Sequence, residues 1–445
     1  MVHKRKQVKK IIAGAVIGTL LLSVPVSGVL AANMQSPILT NSQAHANTTA
    51  VQMLDPGKWA LRNYAAVQDL IERYGIKSST YNSDKKPYVI FDWDNTSIMN
   101  DTEEALFIYM MDHLTFKLTP EEFTKVIKTN VPEGAFSEEY KNTKGERITL
   151  AAISKDLSRD YEYLYSHYEG LKGTQSLETV QASDQFKDFK AKLYFLYEAI
   201  NGTYDTSVGY PWVLYFFANM TTEEVQRLAE ASNDYNLGGA LSKIKMASPE
   251  SMAGEAGPVS VSYTSGLRLT PEIANLMHTF RENGIDVYVV SASMKEVVEV
   301  FATNPKYGYN LPKENVIGIR LKKSGDTYLP ALRTDWPLTV NHGKTEVIQK
   351  EIADKRGYGP LFVAGDSNGD YEMMTEFPDT ELVLIINRAK GGKVGKVSAI
   401  AASEMEKKNP KFILQGHDEN TGQWIPTEYT ITLGSTEKVL LAAPK

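Results

Sequence analysis

Tyr88-Val89-Ile90-Phe91-Asp92-Trp93-Asp94-Asn95-Thr96 sets a short apolar run directly against two carboxylates one residue apart. Four consecutive apolar residues suit a strand buried on both faces. In open α/β sheets ligands bind at the carboxyl ends of such strands, which is where Asp92 and Asp94 fall. Carboxylates at that spacing can share a cation. One can attack a phosphorus atom, and the other can protonate a leaving oxygen. The same residues would also make a solvated acidic turn or a helix N-cap, since Asp, Asn and Thr cap well.

Working outward, helical and strand-like patterns alternate after residue 267. The spacing predicts a helix over 270–283, a strand over 287–290 and a helix from about 294. A strand over 316–321, a helix over 343–354 and strands over 361–364 and 381–387 follow. A helix from about 58 to 74 precedes the first strand, and 101–265 reads mainly as helices rich in aromatic residues, loosening from 248 to 266. Alternating strands and helices imply a parallel α/β sheet. With one strand before the helical stretch and the others after it, that stretch reads as an insertion.

Three features beyond the insertion bear on Asp92 and Asp94. Ser291 follows the 287–290 strand and precedes a helix, where a hydroxyl and free backbone amides can cradle a phosphate; a plain N-cap is the alternative. Gly343-Lys344-Thr345 opens a helix, and a lysine there opposes the helix dipole, which a bound dianion would explain; a plain surface lysine is the alternative. Leu361-Phe362-Val363-Ala364 runs into Gly365-Asp366-Ser367-Asn368-Gly369-Asp370. A Gly-Asp turn with a second carboxylate four residues on suits a hard cation and its waters. Competing motifs fail. Leu338 stands where a P-loop ending in Gly343-Lys344-Thr345 needs its first glycine, and Ser97 replaces the glycine a calcium loop requires. The seven histidines form no short-spaced metal pair.

The order Asp-x-Asp-x-Thr, Ser, Lys, Gly-Asp-x-x-x-Asp resembles the haloacid dehalogenase-like superfamily. The resemblance covers residues 85 to about 400. It implies an α/β fold with a Rossmann-like parallel-sheet core and an inserted, mainly helical cap domain, Mg²⁺ dependence and a phosphoaspartate intermediate. It also implies roles. Asp92 would be the nucleophile and Asp94 the acid/base. Thr96 and Ser291 would hold the phosphoryl group, and Lys344 would balance charge. Asp366 would bind Mg²⁺ with the Asp92 carboxylate and the Asp94 carbonyl, and Asp370 would support the metal's water shell. Aspartate at position 94 is associated in this superfamily with phosphoryl transfer rather than dehalogenation.

Within the superfamily the chain looks most like the phosphoserine phosphatase branch, with its exported phosphorylcholine phosphatases. Leu267-Arg268-Leu269-Thr270-Pro271 leads into the second motif as it does there, and Met99-Asn100-Asp101-Thr102 resembles the Asn-Glu-Thr whose acidic residue receives the substrate's ammonium group. Asp101 is one methylene shorter than that residue, and Gly369 stands where the branch has Asn. The Asp94-Asn95-Thr96-Ser97 opening is shared with the phosphorylcholine enzymes. Tyr161, Tyr163, Tyr165, Tyr168, Tyr210, Trp212, Tyr215, Phe216 and Phe217 offer faces for a choline head, or simply the core of a helical bundle. Asp101 also reads as the N-cap of a helix beginning at Thr102.

The chain has 445 residues, no cysteine and a formal charge of −6. Absence of cysteine excludes disulfides, thiolate zinc sites and thiol nucleophiles, and the acidic balance argues against a nucleic-acid partner. Residues 1–32 carry a basic head, an apolar run and small residues, the pattern of a signal peptide, or of a membrane anchor if uncleaved. Residues 33–57 read as a flexible tether, 58–100 as the first part of the core, 101–265 as the cap, and 266–445 as the rest of the core, ending in a hairpin over 412–433. The expectation is a secreted or cell-envelope, Mg²⁺-dependent phosphomonoesterase for small phosphorylated amines or alcohols. It would have no nucleic-acid partner, and membrane contact only through an uncleaved leader. A catalytically silent ligand-binding envelope protein and a broad-specificity acid phosphatase are the alternatives.

Overall fold

Val89 and Phe91 face one side of a parallel sheet and Tyr88 and Ile90 the other, and all four are fully buried. Strands alternate their side chains between faces, so a run apolar at every position needs cover on both. In the computed structural model, which describes residues 53–443, that run is the strand β1 (Tyr88–Phe91). The sheet continues with β2 (Asp286–Met294), β3 (Val316–Ile319), β4 (Phe362–Gly365), β5 (Leu382–Ile386) and β6 (Phe412–Gln415). Its order is β6-β5-β4-β1-β2-β3, every neighbouring pair parallel. Helices Leu61–Tyr74, Pro271–Glu282 and Lys295–Thr303 pack Val67, Ile71, Ile273, Phe280 and Phe301 on one face. Helices His342–Ile348, Tyr371–Thr375 and Gly392–Ser403 pack Val347, Met373, Val394 and Val397 on the other.

The chain leaves β1, builds the insertion, and returns to place β2 on one side of β1 and β4 on the other. The order of strands therefore reverses around β1, and the crevice lies at its carboxyl end. This is the expected α/β core with an inserted cap. The cap contains the helices Thr102–His113, Leu150–His167, Asp184–Thr203 and Thr222–Leu237. Within the stretch expected to be loose, Ser260–Ser265 instead pairs antiparallel with Ser242–Ala247.

Several expected boundaries shift for tertiary reasons. The tether assigned to 33–57 does not extend through its last residues: Leu54 is buried, and its N–H donates to Gln68 Oε1 at 3.2 Å. The hairpin Leu321–Ser324/Thr327–Leu332, assigned to the core, docks on the cap, where Tyr328 N–H donates to Met220 O at 2.9 Å and Asn219 N–H to Tyr328 O at 3.0 Å. The strand expected from 412 is divided. Phe412–Gln415 joins the parallel sheet as its edge. Then Gly416, where a Cβ would lie 1.7 Å from Tyr429 O, turns the chain into a small sheet whose His417–Asp418 pairs antiparallel with Gln423–Trp424. The segment expected to be a signal peptide and most of the expected tether lie outside the described residues. Among the described residues no helix is long and apolar enough to cross a membrane.

Candidate active site

Backbone and side chains around Asp92 are fixed from the sheet outward. Asp92 N–H continues the ladder to Ala364 O at 2.9 Å. Trp93 turns into the apolar core against Phe301 and Tyr309, and its Nε1 donates to Thr102 Oγ1 at 3.1 Å. That anchor separates Asp92 from Asp94. Asn95 and Asn100 take the left-handed conformation at φ 59° and 68°, which Asn tolerates better than most residues. The loop closes with Asn95 N–H donating to Asn100 O at 3.1 Å.

The Asp92 carboxylate is buried, with Lys344 Nζ 2.5 Å from Oδ1 and the Thr96 hydroxyl 2.9 Å from Oδ2. Lys344 also donates to Asp370 Oδ1 at 2.7 Å. Asp370 Oδ2 accepts from the backbone N–H groups of Asp366 and Ser367 and from the Ser367 hydroxyl, at 3.0–3.1 Å. Gly365 is required here, because a Cβ would stand 2.6 Å from Asp370 Cβ. Asp366 Oδ2 accepts from Arg388 Nη1 at 3.0 Å and Lys390 Nζ at 3.1 Å, while Oδ1 has only a long contact of 3.4 Å with the Thr96 hydroxyl. Oxygens of Asp92, Asp366 and Asp370 lie within 4.8 Å of one another.

This donor set fits a hard divalent cation, which takes carboxylate oxygens. Burial, and then Asp370, push the Asp92 carboxyl well above its usual range, and Lys344 only partly offsets them. Burial alone would lower the Lys344 ammonium, but Asp370 and Asp92 outweigh it and raise it. Burial would also raise Asp366, yet Lys390 and Arg388 hold it below the ordinary value. The cluster is thus short of positive charge on its Asp92 side. Asp370 Oδ2 already accepts from three donors, whereas each Asp92 oxygen and Asp366 Oδ1 has a single one, so Asp92 and Asp366 keep the greater capacity for direct ligation.

Asp94 stands apart from that cluster. Its Oδ1 accepts from Thr102 N–H at 2.7 Å, and its Oδ2 from the hydroxyls of Ser293 at 2.7 Å and Ser291 at 3.4 Å. Burial raises the Asp94 carboxyl against these hydrogen bonds. Ser291 does not open a helix: β2 runs on to Met294, and the helix begins at Lys295. The helix-terminus cradle expected at Ser291 is therefore absent there. Ser291 and Ser293 lie two apart on a strand and so share a face, and it is Ser293, with Ala292, that reaches the cavity wall.

The cavity measures about 600 Å³. Asp92, Asp94, Asp101, Glu103, Glu198 and Asp366 line it, against only Lys344 and Lys390. Thr96 is buried beside the carboxylates and is not part of the wall. Asp101 combines both of its expected positions: Oδ1 accepts from Glu103 and Glu104 N–H at 2.9 Å each, capping the helix Thr102–His113, and the residue also lines the cavity. Burial, followed by Asp94 and Glu104, raises its carboxyl well above the usual range. Of the aromatics considered for a choline head, Tyr210 lines the cavity, whereas Tyr161, Trp212, Tyr215, Phe216 and Phe217 belong to the buried cap core. Tyr197 lines it too, and had no signal in the sequence beyond helical spacing.

Arg388, Lys390 and Glu103 are further residues that the motifs do not mark. The cations follow the apolar strand β5, the same strand-end position that singles out Asp92, and that position was a usable signal. Glu103 Oε2 accepts from Met294 N–H at 2.9 Å while its buried Oε1 has no partner; nothing local in the sequence indicates that pairing.

A model of haloacid dehalogenase-like hydrolases matches residues 204–375. A solved structure of a conserved protein of unknown function from Anaerococcus prevotii is 34% identical and superposes with a TM-score of 0.81, covering 85% of this chain and 98% of that one. The chain belongs to the haloacid dehalogenase-like hydrolases. It is also similar to the phosphorylcholine phosphatase of Pseudomonas aeruginosa, at 25% identity over 342 residues, 69% of this chain and 76% of that protein. Together with the family match, this makes the chain a phosphatase and removes the alternative of a silent binder. In the phosphatase the matched region holds Ser291, Lys344, Asp366 and Asp370, and Asp92 is brought to them across the sheet by the β1–β4 pairing.

Proposed function

We propose that the phosphatase hydrolyses small phosphomonoesters through a phosphoaspartate on Asp92, with Mg²⁺ at the Asp92–Asp366–Asp370 cluster, and favours esters whose alcohol carries a cationic amine. One observation carries the catalytic part. A buried carboxylate at the end of β1 is held between the Lys344 ammonium and the Thr96 hydroxyl, with a second carboxylate, Asp94, on the cavity wall beside it.

Asp92 would form a P–O bond as the ester P–O bond breaks, and Asp94 would pass its proton to the departing alkoxide. Water then attacks the phosphoaspartyl phosphorus, Asp94 takes up a proton, and phosphate leaves with Asp92 restored. Ser293 and Thr102 N–H hold Asp94 in place for both transfers. Lys344 orients Asp92 and offsets its charge, and Asp370 orients Lys344. Arg388 and Lys390 grip Asp366 Oδ2, leaving Oδ1 for the cation. When bound, the cation neutralises phosphoryl oxygens as they approach a carboxylate.

The amine preference rests on the wall of the cavity. The cap contributes Asp101, Glu103 and Glu198 together with the rings of Tyr197 and Tyr210. Anionic groups beside aromatic faces suit an ammonium head, and the Pseudomonas aeruginosa relative is named for phosphorylcholine. Export through residues 1–32 belongs to the same proposal and is checked by N-terminal sequencing of protein recovered outside the cytoplasm. The decisive experiment is kcat/KM for phosphorylcholine, phosphoethanolamine, phosphoserine and p-nitrophenyl phosphate, with and without Mg²⁺. Metal-dependent turnover favouring the amine esters is expected. Equal rates on all four would leave a broad-specificity phosphatase, and undiminished rates after chelation would remove the metal.

A further inference from the structure

A second cavity, of about 440 Å³, is lined by the helix Lys295–Thr303, the hairpin Leu321–Ser324/Thr327–Leu332 and Thr222 at the start of a cap helix. It shares no lining residue with the active cavity, and its charge is opposite: five Lys and Arg side chains against Glu296 and Glu299. Glu299 is already neutralised, by Lys295 and by Lys313 at 2.7 Å. Arg333 is paired with Asp335 at 2.5 Å. Arg320 and Lys323 make no ion pair among the described residues. Each stands over an aromatic ring: Arg320 lies 3.6 Å from the centroid of Trp336, and Lys323, whose ammonium also donates to the Thr222 hydroxyl on the same wall, 4.6 Å from that of Tyr328.

The platform is built rather than incidental. Trp336 Nε1 donates to Gly318 O at 3.1 Å, fixing the indole, and Arg333 N–H donates to Arg320 O at 2.9 Å, fixing the backbone that carries the guanidinium. A guanidinium stacked on a ring keeps its N–H groups directed outward in its own plane, the geometry that grips oxyanions. Arg320 Nε is buried and has no hydrogen-bond partner. Burial, and then Arg333, lower its pKa, as expected where cations outnumber compensating anions. Glu296 is the opposing group, with one buried oxygen unpartnered.

We propose that this cavity binds a phosphate-type oxyanion through Arg320 and Lys323, at a site separate from the active one. Its walls come from both the core and the cap hairpin region, so occupancy ties these parts together and stabilises the fold by mass action.

The test uses the full chain in chelator, where the acidic active cavity has no metal to attract a dianion. Inorganic phosphate, sulfate and chloride are titrated at matched ionic strength while melting temperature and tryptophan emission are followed. Phosphate and sulfate should give a saturable rise in melting temperature and a change in emission that Trp336→Phe removes. Arg320→Gln should weaken binding by about tenfold or more, the scale of losing a hydrogen-bonded charge, and Lys323→Gln should weaken it less. Lys344→Met should leave the anion response intact. The proposal is overturned if chloride matches phosphate, if neither Arg320→Gln nor Lys323→Gln alters a response present in the wild type, if no response occurs, or if Lys344→Met abolishes it. Melting curves without anion show whether the variants are folded.

Discussion

Among the described residues two buried lysines, Lys344 and Lys192, each bridge two aspartates; Lys344 lines the active cavity, whereas Lys192 is enclosed within the cap. At the end of β1, Lys344 joins Asp92 and Asp370 at 2.5 and 2.7 Å, with Asp366 beside them. Inside the cap, Lys192 joins Asp156 and Asp188 at 2.8 and 2.9 Å, with Asp160 beside them. The cap cluster spends its remaining capacity on structure. Lys192 also donates to Met252 O at 3.0 Å, and Asp156 accepts from Glu255 and Ala256 N–H at 2.8 and 3.0 Å, so the cluster fastens the loop around 252–256. The Asp92 cluster leaves capacity open towards a cavity and gathers three carboxylates closely enough to hold an ion. The same residue types therefore serve chemistry or scaffolding according to where their spare lone pairs point. Under the proposed function the surplus negative charge would be met by a cation in one place, and by a proton in the other.

The comparison breaks most visibly at the nucleophile. Asp92→Asn should fold normally and lose about 10³-fold or more in turnover, the scale for an essential catalytic unit. A folded variant with near-normal rate would remove Asp92 from the chemistry. Mg²⁺ should raise the melting temperature of the wild type, and Asp366→Ala should lose both activity and that rise; a Mg²⁺ shift that survives would place the metal elsewhere. The cap cluster should answer in stability alone. Lys192→Met strands two buried carboxylates and should cost about 3–5 kcal/mol, measured by urea unfolding. Its kcat on the folded fraction should stay near wild type, and a selective loss of kcat would join the two clusters functionally.

The residues gathered around Asp92 were legible in the sequence as a group, and those of the cap cluster were not. Asp92, Asp94, Asp366 and Asp370 follow short apolar runs, and the strand-end rule works on a window of a few residues. Lys344 was legible because a cation opposes its helix dipole. Asp156, Asp160, Asp188 and Lys192 sit on two helices where charged residues usually mark a solvated face, and only helix packing reveals that they turn inward. Ser293 was within reach, being two residues from Ser291 on one strand face, but the strand was read as ending too early. The docking of the 321–332 hairpin on the cap and the division of the chain at Gly416 depend on close approaches that no local pattern encodes.

Asp101 tests the acidic wall of the active cavity with a smaller effect. Asn remains a good N-cap, so Asp101→Asn keeps an acceptor for Glu103 and Glu104 N–H while removing the charge. It should lower kcat/KM for phosphorylcholine by roughly 5- to 150-fold, the span of about 1–3 kcal/mol, and leave p-nitrophenyl phosphate and the melting curve nearly unchanged. Equal losses on both substrates would reduce Asp101 to a helix cap.

The last test is at Asp160, read as a slope with pH rather than as a single loss, and it decides how the cap cluster balances its charge. Asp156, Asp160 and Asp188 face only Lys192 and Arg159. Asp160 Oδ1 accepts from Arg159, whereas Asp160 Oδ2 and Asp188 Oδ1 are buried without partners. A proton on Asp160, donated to Asp188, satisfies both oxygens and evens the charge. Burial first, then Asp188, raise the Asp160 carboxyl to about 8. The sign follows from the unfolded chain, where an aspartate ionises near pH 4. The folded state keeps a proton that the unfolded state has lost, so this contribution to stability is fully present below about pH 4 and is lost as pH rises towards 8. The slope is at most about 1.4 kcal/mol per pH unit. Asp160→Asn, which carries a permanent donor at that position, should abolish this slope. Its melting temperature relative to wild type should therefore climb between pH 5 and pH 8. Parallel curves across that range would show that Asp160 is ionised throughout, and that the cap cluster carries its surplus charge without a proton.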